Sequence, residues 1–149
     1  MENKDFDPVD VLLVEDNPDD AELTIRALKK QHMANNLIVA EDGEEALDFL
    51  FGKGKYAGRG VNHPPKVVFL DLKLPKVDGL EVLRQIKGNE RTKSIPVVVV
   101  SSSKEDPDIK TAYELGANSY VVKPVDFKDF LNALSNTGLY WLLVNESPK

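Results

Sequence analysis

Five short aliphatic runs, at residues 10–14, 36–40, 67–70, 97–100 and 119–122, are separated by longer stretches with helical spacing. Several of the runs are apolar at every position, Val97-Val-Val-Val100 most clearly. A strand with one wet face alternates apolar and polar residues, so continuous runs predict a parallel sheet covered on both faces. The stretches between them carry helix punctuation. Asn17-Pro18 offers an N-cap followed by proline in the first turn, and Asp19 and Asp20 suit the positive end of the helix dipole. Ala21, Ile25 and Leu28 then recur at helical spacing. A second helix is predicted over about 44–51 with Ala46, Leu47 and Leu50 inward. Asp78-Gly79 opens a third, in which Val82, Leu83 and Ile86 form one face. Pro107 starts a fourth, and Gly116 stands where a left-handed residue ends it. The fifth begins near Asp126 and carries Phe127, Phe130, Leu131 and Leu134. Strands and helices alternating at this length imply right-handed crossovers, hence an α/β, doubly wound (βα)5 sandwich.

Two segments depart from that plan. Residues 52–66 hold four glycines, two prolines, three Lys and one Arg with no acid, and read as a long basic loop. Leu139-Tyr-Trp-Leu-Leu-Val144 is an apolar run arriving after the fifth helix should be complete. Composition narrows the class. The 149 residues are 42% apolar and 30% charged, as expected of one globular domain with no room for a second output domain. A net charge of −6 disfavours binding a nucleic-acid backbone through bulk charge. With no cysteine there is no disulfide, thiolate zinc site or Cys nucleophile. No apolar run is long enough for a membrane span and the polar N-terminus lacks a signal-peptide core, so a cytoplasmic location is expected.

In open α/β sheets ligands bind beyond the carboxyl ends of the strands, so the residues just past each strand matter most. Glu15-Asp16 follows the first strand, Asp71 the third, Ser101-Ser102-Ser103 the fourth, and Lys123-Pro124 the fifth. Each alone has a bland reading: an acidic helix start, a strand terminator, a loop, a turn. Together, on one edge, they describe a site. If the first and third strands are neighbours, Glu15, Asp16 and Asp71 converge, and three like charges so placed need a cation. Hard carboxylate oxygens suit Mg²⁺ better than a soft metal.

These residues resemble the receiver domain of two-component response regulators. The likeness is carried by Val11-Leu-Leu-Val-Glu15-Asp16-Asn17, Val67-Val-Phe-Leu-Asp71-Leu-Lys-Leu-Pro75, Asp78-Gly79, Ser101 and Gly116-Ala-Asn-Ser-Tyr-Val-Val-Lys123-Pro124, and spans about residues 9–135. It implies a flavodoxin-like sheet in the order 2-1-3-4-5. It also implies that Asp71 accepts a phosphoryl group from the phosphohistidine of a sensor histidine kinase. Asp16 would then bind Mg²⁺ directly and Glu15 through water, with Asp71 and the Lys73 backbone carbonyl as further ligands. Ser101 would hydrogen-bond the phosphoryl group and Lys123 would pair with it. Tyr120, on the fifth strand, matches the aromatic that turns inward as Ser101 moves, so that signal leaves through the fourth helix, fifth strand and fifth helix. Such a protein assists its own phosphorylation and dephosphorylation but is no conventional enzyme.

The loop of residues 52–66, the C-terminal extension of residues 136–149, Asn17-Pro-Asp-Asp20 and Phe49-Leu-Phe51 are similar to single-domain regulators of the cyanobacterial phytochrome type. That narrower likeness implies a phytochrome as kinase. The extension's aromatics add apolar surface that predicts a homodimer through the C-terminal face. Lys73 and Ser103, two residues past the acceptor and the hydroxyl, are expected to tune the phosphoryl lifetime, and Ser102 stands where receivers often have alanine. Lys73 also weighs against an aspartyl-phosphate phosphatase, which has a second carboxylate there. Glu-Asp-Asn-Pro after the first strand disfavours a flavin or nucleotide cradle, which needs backbone amides rather than anions. His32 and His63 adjoin no credible nucleophile for a hydrolase triad.

Overall fold

The computed structural model describes residues 9–30, 36–58, 64–124 and 126–136. Five strands, β1 (Val11–Val14), β2 (Leu37–Ala40), β3 (Val67–Leu70), β4 (Val97–Ser101) and β5 (Ser119–Val122), form one sheet in the order β2-β1-β3-β4-β5. Every ladder is parallel. The helices are α1 (Pro18–Lys30), α2 (Gly43–Phe51), α3 (Gly79–Gly88), α4 (Asp106–Glu114) and α5 (Phe127–Asn136).

β1, β3 and β4 are buried at every residue, because alternate side chains feed two different cores. Leu12, Val14, Val68, Leu70, Val97 and Val99 meet Ala46, Phe49 and Leu50 of α2, Val82, Leu83 and Ile86 of α3, and Ala112 of α4. Val11, Leu13, Val67, Phe69, Val98 and Val100 meet Ala21, Ala27 and Leu28 of α1 and Ala133 of α5. Each such aliphatic side chain contributes roughly 1.5–3 kcal/mol on burial, so the ends of these three strands are held rigidly.

The helix signals act as their chemistry requires. Asn17 Oδ1 accepts the N–H groups of Asp19 and Asp20 at 2.9 and 3.0 Å. Asp42 and Asp78 cap α2 and α3 through Glu45 N–H and Leu80 N–H. Gly116, with φ of 108°, follows α4 in the left-handed region and donates its N–H to the Tyr113 carbonyl.

Three details differ from the expectations drawn from sequence. In α2 Phe49 is buried while Leu47 is half-buried, so the inner face is rotated toward Phe49. In α5 Ala133 is buried and Leu131 half-buried; the side chains of Phe127, Phe130 and Leu134 lie outside the described residues. The segment read as loop contains a 3-10 turn, Gly54–Tyr56, which drops Tyr56 onto α2. Its ring meets Phe49 edge-on at 5.1 Å between centroids, and its hydroxyl donates to Glu45 at 2.9 Å. Residues 59–63 of that loop and the expected dimer extension beyond Asn136 lie outside the described residues.

Candidate functional site

The sheet ladder runs one step past the strands. Glu15 N–H donates to the Ala40 carbonyl at 3.0 Å, and Asp71 N–H to the Val14 carbonyl at 3.1 Å. Glu15 and Asp71 are thereby pinned side by side at the carboxyl ends of β1 and β3, 3% and 6% exposed. Asp16 extends into solvent. One oxygen from each of Glu15, Asp16 and Asp71 lies within 4.8 Å of the others. The turn after Asp71 is held by Gly79, whose N–H donates to the Leu72 carbonyl. A side-chain carbon at Gly79 would fall 2.2 Å from the Asp71 carbonyl oxygen, so only glycine lets α3 approach this closely.

Lys123 enters from β5, its N–H donating to the Ser101 carbonyl and a cis peptide bond joining it to Pro124. Its ammonium donates to Glu15 Oε1 at 2.8 Å, Asp71 Oδ2 at 3.1 Å and Asp20 Oδ2 at 2.8 Å. Burial pushes the Glu15 carboxyl up to about 7, against the hydrogen bond from Lys123 that favours its charge; the nearby Asp71 carboxylate adds to the rise. Burial also opposes the charge on Lys123. The bonds to Asp20, Glu15 and Asp71 together outweigh it and hold that ammonium above the ordinary lysine range.

Ser101, fully buried, ends β4 and accepts the N–H of Ser103 at 3.2 Å. Ser103 is a junction: its hydroxyl donates to Asp108 of α4 and accepts Glu105 N–H, and its carbonyl accepts the Tyr120 hydroxyl at 3.0 Å. Tyr120 is half-buried, its ring already packed against the core on the α2–α3–α4 side of the sheet. Lys73 is exposed, with its N–H 3.4 Å from Asp71 Oδ1. The structure therefore brings Glu15, Asp16, Asp71 and Lys123 into one cluster, with Ser101 and Tyr120 on the adjoining strands. Sequence reasoning missed Asp20 and Asp108. Asp20 gave no signal beyond an acid in the first turn of α1, because its partner Lys123 lies on β5.

Three convergent carboxylates form a hard, anionic donor set of the kind divalent cations occupy, so the residues fit a metal. They also sit where phosphoryl chemistry needs charge balance.

Residues 11–135 match the family model described as the response regulator receiver domain. The chain belongs to the response regulator receiver family. It is 38% identical over 143 residues to response regulator Rcp1 of Synechocystis sp., with 95% of each chain covered. It is 43% identical over 142 residues to the probable methanogenesis regulatory protein FilR2 of Methanothrix harundinacea, covering 95% of this chain and 89% of that one. Among solved structures it is similar to the bacteriophytochrome response regulator AtBRR, at 52% identity and a TM-score of 0.81, covering 94% and 99% of the two chains. Rcp1 itself has been solved in a Mn²⁺-bound form, at 37% identity and a TM-score of 0.76, covering 95% and 100%. The sheet order and flanking helices are those of the flavodoxin-like receiver fold. Phosphorylation on aspartate is typical of this family, its members bind divalent metal, and its partner is a histidine kinase. Among the described residues no helix is long and apolar enough to cross a membrane.

Proposed function

We propose that Asp71 is the phosphoacceptor of this response regulator and that Glu15, Asp16 and Asp71 hold Mg²⁺, assisted by the Lys73 backbone carbonyl. The observation that carries the reading is the pinning of Asp71 beside Glu15 and Asp16 with the Lys123 ammonium 3.1 Å away. A carboxylate oxygen of Asp71 bonds to phosphorus as the phosphorus–nitrogen bond of a phosphohistidine breaks. The bonding pair returns to the imidazole, which takes up a proton. Bound Mg²⁺ supplies charge stabilisation to the transferring oxygens. Lys123 pairs with the new phosphoryl group and the Ser101 hydroxyl donates a hydrogen bond to it. The Ser101–Ser103–Tyr120 chain of hydrogen bonds carries the change to the α4–β5–α5 face. The likeness to AtBRR and Rcp1 favours a phytochrome-type kinase as donor. The apolar run 139–144 favours a homodimer through the C-terminal face, and the net charge of −6 argues against direct nucleic-acid binding. The protein works in the cytoplasm as a signalling acceptor rather than as a conventional enzyme.

Acetyl phosphate with Mg²⁺ should add one phosphoryl group by intact mass, and omission of Mg²⁺ or Asp71→Asn should remove it. Labelling of Asp71→Asn at the wild-type rate would refute the assignment.

A further inference from the structure

We infer that Asp20 is a positioning residue for Lys123: it keeps the ammonium in the site when a divalent cation takes Glu15 and Asp71. This rests on the metal and phosphoacceptor reading of the site. Lys123 spends its three N–H donors on three carboxylates, at 2.8 Å to Glu15, 3.1 Å to Asp71 and 2.8 Å to Asp20. Two of those, Glu15 and Asp71, belong to the trio whose oxygens converge for a metal; Asp20 does not. A divalent cation and an ammonium repel strongly at contact distance and compete for the same oxygens. Metal entry therefore obliges Lys123 to loosen its hold on Glu15 and Asp71. The buried stem of Lys123, 11% exposed, gives the ammonium few other places to go. Asp20 is the carboxylate that can still hold it, on the α1 side of Asp71.

The local sequence builds Asp20 for this place. Asn17 Oδ1 accepts the Asp20 N–H at 3.0 Å, fixing the first turn of α1, and Pro18 sets the backbone of that turn. An acid here also suits the helix dipole, but that role would be served as well by Asp19, whereas the bond to Lys123 is made by Asp20. The Asn17-Pro-Asp-Asp20 segment thus contributes more than a helix start. Without Asp20 the anions left to Lys123 are the ones the metal needs, and competition between the two cations sharpens.

Mn²⁺ binding, read as the loss of the free-ion electron paramagnetic resonance signal, tests this without any phosphoryl donor. Asp20→Asn should raise the Kd for Mn²⁺ about tenfold, the lower end for a charged hydrogen bond at a partly exposed group. Asp20→Glu, which keeps the charge, should stay within about threefold of wild type. In a Lys123→Met background the effect of Asp20→Asn should shrink below about twofold, because the competitor is gone. Far-UV circular dichroism and thermal melting verify that each variant folds. An unchanged Kd in Asp20→Asn overturns the inference. So does an equal weakening in both backgrounds, which would make Asp20 a mere source of negative charge. Failure of the wild-type protein to bind Mn²⁺ overturns instead the metal reading beneath it.

Discussion

Two lysines sit at opposite ends of the same sheet and solve opposite problems. Lys123, at the carboxyl ends of the strands, faces three carboxylates. Lys87, near the end of α3, faces neutral oxygens where β4 and β5 begin: the Ile95 carbonyl at 2.7 Å, and the Lys93 carbonyl and Asn118 Oδ1 at 3.2 Å. Asn118 Oδ1 also accepts the Val97 N–H at 2.9 Å, so Lys87 ties α3 to two strand starts at once. Burial opposes the charge on both. At Lys87 it prevails and lowers the pKa, since dipoles compensate an ammonium only in part. At Lys123 the carboxylates prevail and raise it. An ammonium among carbonyl groups is a staple. An ammonium among carboxylates is a counterion, and another cation can take its place. Only one end of this sheet is built for exchange.

The contrast can be broken most forcefully with a phosphoryl mimic. Lys123→Met should weaken beryllofluoride binding about 100-fold, the loss expected for a strong charge-assisted contact. Lys87→Met should leave that binding within about threefold. Calorimetric titration in saturating Mg²⁺ measures both. Stability should then reverse the ranking. Lys87→Met should lose roughly 2–3 kcal/mol in urea whether or not Mg²⁺ is present, because carbonyl groups and Asn118 lose a charged donor. The loss in Lys123→Met should be recovered on adding Mg²⁺, which restores positive charge to the carboxylates.

A pH series sharpens the comparison further. With its pKa raised in the fold from 4.5 to about 7, Glu15 binds more protons in the folded state than in the unfolded one between those values. Its contribution to stability is therefore greatest at acid pH and declines as pH rises toward 7. Metal-free Glu15→Gln, which stays neutral, should gain in melting temperature relative to wild type from pH 5 to pH 8; an equal difference across the range would contradict the burial of Glu15. Smallest of all, Tyr56→Phe should cost about 1 kcal/mol through its bond to Glu45 and leave phosphoryl labelling untouched. Urea unfolding alongside labelling kinetics checks both halves.

The sheet was legible because continuous apolar runs leave few alternatives, and the rim residues because they come directly after those runs. Ala46, Leu50, Val82, Leu83 and Ile86 all lie inward as their spacing predicts. What escaped were contacts between separate elements. Tyr56 lies among glycines and lysines that mark loop, and its ring and hydroxyl meet Phe49 and Glu45 of α2, folded beneath it. Asp20 reads as one more acid at a helix start until β5, over a hundred residues later, brings Lys123 to it. Lys87 sits on an amphipathic helix where Arg84 and Gln85 bond to Glu81 within the helix, whereas its own partners come from the β4 approach and the β5 start. Pairings across such separations have no local periodicity to announce them.

We propose that the carboxylate of Asp71, held beside Glu15, Asp16 and Lys123, receives the phosphoryl group. Borohydride reduction of the acyl phosphate formed with acetyl phosphate and Mg²⁺ converts the modified aspartate to homoserine, and peptide mass spectrometry then reads its position. Homoserine at position 71 alone is the expected result. Homoserine at Asp16, Asp20 or any other acid in place of Asp71 would contradict it.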